Sequence, residues 1–99
     1  MNCKSYETFF QNFANKAKLD IMLLLRDGSL NVSALTKQLN SEQSAVSHNL
    51  KKLCDCNVVS VKSEGRERIY SLNKQTILPL LKLVQTHVES NCTVRCCKK

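Results

Sequence analysis

The sequence predicts a mainly α-helical domain with one small β-hairpin, an α+β chain in the order α-α-α-α-β-β-α. Three observations predict it. Apolar residues recur at helical spacing through most of the first 57 residues and again over residues 77–88. Between Val58 and Leu72 the pattern switches to β-branched and alternating. Only two glycines and one proline interrupt 99 residues, a length suited to one core rather than two. Residues 1–99 are therefore read as a single domain.

In the first element, Tyr6, Phe9, Phe10 and Phe13 fall at i, i+3, i+4 and i+7 and share one helix face. Four rings are many for so small a core, so they cover the rest of the domain or form a subunit interface. A second helix spans Lys16 to Arg26, apolar all round at its centre and hence buried. Asp27-Gly28 ends it, with Gly28 suited to a left-handed cap. Asn31 can cap a short third helix with Val32, Leu35 and Leu39 on its apolar face, and Asn40 provides the next break. The fourth helix covers about residues 42–55, with Ser41 available as N-cap and Val46, Leu50 and Leu53 as a narrow core stripe. Asn57 can close it. Val58–Lys62 and Arg68–Leu72 then form a hairpin around a turn at Ser63–Glu67. The last helix begins between Asn73 and Thr76 and runs to about Asn91. Pro79 is tolerated if Thr76 caps the helix, because first-turn amides have no helical partner, and should kink it if the helix begins earlier. Ile77, Leu81, Val84 and Val88 make its apolar stripe.

Composition narrows the function. Apolar content of 42 % is ordinary for a folded domain and argues against a disordered chain. The net charge of +7 suits an acidic partner such as nucleic acid. That excess is C-terminal, however. Residues 1–40 carry five Lys/Arg against three Asp/Glu, residues 41–72 five against four, and residues 73–99 five against one. Charge alone therefore does not locate a DNA surface. The longest purely apolar run, Ile21–Leu25, is far short of a membrane span, and no signal peptide is visible. The expectation is a cytoplasmic protein with no membrane partner. Its six cysteines are then expected as thiols or metal ligands rather than a disulfide scaffold.

Helices three and four, joined tightly at Asn40-Ser41, form a helix-turn-helix pattern. A helix that enters the major groove needs short polar side chains and a few long donors on its outer face. Ser44, Ser47, His48 and Lys51 provide these, and Gln43 can read adenine bidentately. The hairpin offers Arg66 and Arg68 beside Gly65, as a wing over the backbone or the minor groove would need. The plainer alternative is a solvated helix face and a hairpin whose arginines pair with Glu67.

Two strings carry a family resemblance. Phe13–Ile21, and Gln43-Ser44-Ala45-Val46-Ser47-His48-Asn49-Leu50-Lys51-Lys52-Leu53, resemble the second helix and the recognition helix of the ArsR/SmtB family of metal-responsive repressors. Glu64-Gly65-Arg66 followed by Ile69–Leu72 is similar to that family's wing. The resemblance covers about residues 6–90. It implies a winged helix-turn-helix homodimer whose first and last helices form the interface, here through Tyr6, Phe9, Phe10, Phe13, Ile77, Leu81, Val84 and Val88. It also implies that Gln43, Ser44, Ser47, His48 and Lys51 face the groove. Lys18 stands where the family usually has Arg, and Ser41 where an apolar residue is common.

The family's metal sites do not transfer. The third helix has Asn31-Val32-Ser33 in place of a Cys-x-Cys string, and the last helix offers only His87 and Glu89. The cysteines are Cys3, Cys54, Cys56, Cys92, Cys96 and Cys97. Cys92 and Cys96 are i and i+4, so a continued helix would place them on one face, with Cys97 adjacent. Such soft thiolates suit arsenite, cadmium, zinc or copper(I), and Arg95, Lys98 and Lys99 favour the ionised thiol. A redox switch or an unordered tail is the competing reading, and Cys3 could complete the set. Cys54 and Cys56 lie about 160° apart on an ideal wheel and cannot share an ion unless the helix ends between them. Cys54 sits at the edge of the core stripe, as a small buried hydrophobe would.

The resulting expectation is a non-enzymatic, homodimeric DNA-binding transcription regulator. It would be a repressor that needs no cofactor and is released by a soft ion or by thiol oxidation. Its two recognition helices would enter successive major grooves about 34 Å apart on a pseudo-palindromic operator. The rivals are a winged-helix protein-interaction module and, less favoured, a small thiol redox or metal-transfer protein. The latter lacks a Cys-x-x-Cys string or a nucleophile–base arrangement.

Overall fold

The computed structural model describes residues 5–91. Helices α1 (Tyr6–Ala14) and α2 (Lys16–Arg26) lead through a two-residue strand β1 (Leu30–Asn31) to α3 (Val32–Leu39) and α4 (Gln43–Asp55). Strands β2 (Val59–Glu64) and β3 (Glu67–Leu72) and helix α5 (Ile77–Asn91) complete the chain.

Local chemistry explains most boundaries. At three helix starts a side-chain oxygen accepts an otherwise orphaned amide. Ser5 Oγ accepts from Thr8 N–H at 3.1 Å, Asn15 Oδ1 from Lys18 N–H at 3.0 Å, and Asn31 Oδ1 from Ala34 N–H at 2.7 Å. Asn15 is the only residue between α1 and α2. Its extended backbone (φ −93°, ψ 118°) ends one helix while its side chain starts the next.

Asn40 (φ 53°) and Asn57 (φ 59°) occupy the left-handed region after α3 and α4. In each case two amides fold back onto the last turn. Asn40 N–H donates to Lys37 O and Ser41 N–H to Thr36 O, both at 3.2 Å. Asn57 N–H donates to Cys54 O and Val58 N–H to Leu53 O, both at 3.0 Å. This double closure is the Schellman motif. Val58 completes it by burying itself fully, as does Leu53.

The sheet is antiparallel in the order β1-β3-β2. Val59 lies opposite Leu72, Val61 opposite Tyr70 and Glu64 opposite Glu67, while Leu30 pairs Tyr70 from the other edge. Helices α2, α3 and α4 pack on this sheet. Ile21, Met22, Leu25, Leu35, Val46, Leu50 and Leu53 close the core with Val58, Val59, Tyr70, Leu72, Ile77 and Leu81. Each such aliphatic side chain contributes about 1.5–3 kcal/mol by leaving water.

Four details differ from the sequence-based expectation. Strand β1 was not expected, because two residues carry no periodicity. Gly28 has φ 158°, an extended rather than left-handed helical value. The N-cap of α4 is Glu42, which makes no side-chain capping bond, and Ser41 Oγ instead donates to Leu39 O at 3.3 Å. The hairpin is tighter than expected, with Gly65 (φ 63°) and Arg66 alone between the strands. Pro79 is accommodated as expected, at the third residue of α5.

Candidate nucleic-acid interface

Burial of Val46, Leu50 and Leu53 fixes the rotation of α4, and the opposite face must then be wet. Gln43, Ser44, Ser47, His48 and Lys51 all lie exposed on or beside that face, as does Lys52. Because Glu42 does not cap the helix, the first-turn amides have no side-chain acceptor and are open to water or to an anion. Arg66 sits in the hairpin loop and Arg68 on β3 opposite Ser63, with Lys62 on β2 opposite Ile69. All three are exposed. Among the described residues the ion pairs are Lys16–Asp20 at 2.9 Å and Arg26–Asp27 at 4.0 Å. Among these residues the cations of α4 and the hairpin have no counter-charge within ion-pair distance, and the pairing of Arg66 and Arg68 with Glu67 does not form.

A cleft of about 430 Å³ runs along one flank of α4, where it meets α1 and the start of α2. His48, Lys51, Lys52 and Asp55 line it from α4, Asn12 from α1 and Lys18 from α2. Lys18 lies 25 residues before the start of α4, and only folding brings the two together.

A second surface is apolar. Tyr6 and Phe10 are exposed, while Phe9 and Phe13 pack partly against the core. The three phenylalanines pack with inclined rings, Phe9 meeting Phe10 edge-on and Phe13 at a tilt, each at 5.2 Å between ring centroids. The stripe on α5 divides along its length. Ile77 (2 % exposed) and Leu81 (6 %) are buried in the chain's own core and do not present an outward face, contrary to expectation. Beyond them the helix outruns the domain. Val84 and Val88 of the same stripe are exposed, and so is Leu83, a residue the stripe did not include.

Cys92, Cys96 and Cys97, the expected ion ligands, lie outside the described residues, as does Cys3. Helix α4 ends at Asp55, between Cys54 and Cys56. Cys54 is a half-buried free thiol. Burial pushes its pKa up, the Asp55 carboxylate adds to the rise, and Lys51 opposes it. It is therefore a protonated, poorly nucleophilic packing group. Cys56 is disulfide-bonded, where a thiol or a metal ligand was expected. Among the described residues no group of three or more His, Cys, Asp or Glu could hold a metal ion. On α5 Gln85 Nε2 donates to Glu89 at 3.0 Å, and the Asn91 amide lies 3.3 Å from His87 Nδ1. The described donor set does not fit a metal. No helix among these residues is long and apolar enough to cross a membrane.

Comparison with known proteins gives concordant findings. Residues 15–61 match the family model described as bacterial regulatory protein, arsR family. The chain is 37 % identical over 79 residues to the HTH-type transcriptional regulator NmtR of Mycobacterium tuberculosis, covering 80 % of this chain and 66 % of that protein. It is 33 % identical over 79 residues to the arsenical resistance operon repressor of Bacillus subtilis, covering 79 % of this chain and 75 % of that one. Its fold is similar to a homodimeric winged helix-turn-helix DNA-binding domain from Mycobacterium bovis, described as a possible ArsR-family transcriptional regulator. There the TM-score is 0.77 at 26 % identity, over 83 % of this chain and 76 % of that one.

Proposed function

On the ground that the chain belongs to the arsR family of bacterial regulatory proteins, we propose that it is a homodimeric, non-enzymatic repressor that reads an operator through α4. The observation that carries this reading is the outer face of α4. It presents small polar side chains, Gln43 and Lys51 above an uncapped helix start, with no ion pair among the described residues to neutralise the lysine. Gln43, Ser44, Ser47 and His48 would meet base edges. Lys51, Lys52, Lys62, Arg66 and Arg68 would meet phosphates, positioning the helix without reading sequence.

A second copy of the chain would cover the apolar surface of Tyr6, Phe10, Leu83, Val84 and Val88. The inducer reading rests on sequence. Cys92, Cys96 and Cys97 supply soft thiolate donors, and relatives are named arsenical resistance operon repressors. A cytoplasmic location follows from a DNA partner.

The test is fluorescence anisotropy of the reduced protein on a duplex from its own promoter. We expect tight, salt-dependent binding that Ser47→Glu combined with Lys51→Glu abolishes. Release by arsenite, cadmium, zinc or copper(I), lost when the three C-terminal cysteines are replaced by serine, would identify the inducer class. Binding no tighter than to unrelated DNA, from an intact dimer at low salt, would refute the reading.

A further inference from the structure

The cleft between α4 and the α1–α2 junction gathers three ammonium groups, from Lys18, Lys51 and Lys52, against one carboxylate, Asp55. None of the four takes part in an ion pair among the described residues. Lys18 Nζ instead donates a long hydrogen bond, 3.4 Å, to the neutral Oδ1 of Asn12, whose residue is only 3 % exposed. A lysine ammonium that gives one proton to a buried amide oxygen has two more to offer another acceptor.

The cleft is also continuous with the DNA-reading face, because His48 and Lys51 belong to both. A helix lying in the major groove has a phosphate strand along each wall, so groups flanking its reading face meet backbone rather than bases. Lysine, a compact point charge, suits that contact.

We infer that this cleft seats a backbone phosphodiester of the operator, extending the DNA-contacting surface from α4 to Lys18 at the start of α2. The inference rests on the DNA-binding reading above. It adds a contact that reads no base. Losing it should weaken binding to all sequences alike and lower the salt dependence by one phosphate per protomer. Asp55 opposes the phosphate, so neutralising it should strengthen binding.

The experiment measures affinity of the full chain for promoter duplex and for scrambled duplex across a series of salt concentrations. Lys18→Gln should lose about tenfold in affinity on both duplexes. Its log–log salt slope should fall by about 0.9 for each phosphate lost. Asp55→Asn should bind more tightly, a gain that a merely misfolded variant cannot produce. If both variants stay within twofold of the parent with unchanged slopes, while the parent binds in a salt-dependent way, the phosphate seat is wrong and the DNA reading stands. If Lys18→Gln leaves DNA binding intact but abolishes thermal stabilisation by inorganic phosphate, the cleft is a free-anion site and the inference is overturned. If the parent fails to bind DNA, both readings fall together.

Discussion

Single residues set the ends of α3 and α4. Asn40 and Asn57 tolerate the left-handed backbone better than other non-glycine residues, because their short amides can bond locally. Asn57 matters more, since its amide and that of Val58 close α4 just before the hairpin, and its carbonyl accepts from Asn73 Nδ2 at 2.8 Å. Asn57→Gly should leave stability unchanged or slightly raised, whereas Asn57→Val should cost about 1–2 kcal/mol. Thermal denaturation at fixed protein concentration distinguishes the two. Cys54 offers a second residue-scale test. Its raised pKa means that the folded state holds the proton more tightly than the unfolded chain. Stability from this group is thus intact at neutral pH and lost as pH rises past the ordinary thiol value. Native protein should accordingly alkylate slowly at Cys54 near neutrality, by quantitative mass spectrometry, and unfolding should abolish the protection. Equal rates in native and unfolded protein would show that the thiol is not shielded.

At the scale of elements, the hairpin is built with a flaw that bears on function. Its tight loop requires Gly65 at positive φ, with the next residue at negative φ, as in a type II′ turn. The register then sets Glu64 directly opposite Glu67, a like-charge pair at the tip of a wing expected to approach phosphates. Such a pair is destabilising by about 0.2–1 kcal/mol. Glu67→Lys should therefore raise the melting temperature slightly and strengthen binding to specific and unrelated DNA together. A gain in stability without any gain in DNA affinity would place the wing away from the duplex. Helix α4 behaves differently, because its core stripe is fully committed. Changes at Ser47 or Lys51 should alter DNA binding with little effect on folding.

At the scale of the whole molecule, the main consequence is the outward apolar surface of α1 and α5. Helix α5 is 15 residues long, about 22 Å, and only its first turns lie over the core. The rest, with Leu83 68 % exposed, runs on past the core. Arg26 of α2 donates to Gln85 Oε1 at 3.1 Å and steadies this extension. Leu83→Glu should produce a folded monomer by light scattering, with helical content preserved because Ile77 and Leu81 still fill the core. Its DNA affinity should fall by about a hundredfold or more, since a lone protomer grips one half-site. A Leu83→Glu protein that remains dimeric would move the interface elsewhere.

The sequence by itself determined five helices, the hairpin, the core stripe of α4, and the outward set of Gln43, Ser44, Ser47, His48 and Lys51. Periodicity and capping chemistry act within one or two turns, so they are written in neighbouring residues. What crosses the chain was decided by tertiary structure. Strand β1 exists because Leu30 meets Tyr70. Glu42 rather than Ser41 precedes α4 because Ser41 is turned back onto α3 by its own backbone bond to Thr36. The stripe of Ile77, Leu81, Val84 and Val88 is uniform in sequence, yet the extent of the core beneath it divides buried from exposed. Lys18 joins Lys51 and Lys52 for the same reason: apolar burial sets the helix positions, and the charges follow wherever that packing carries them.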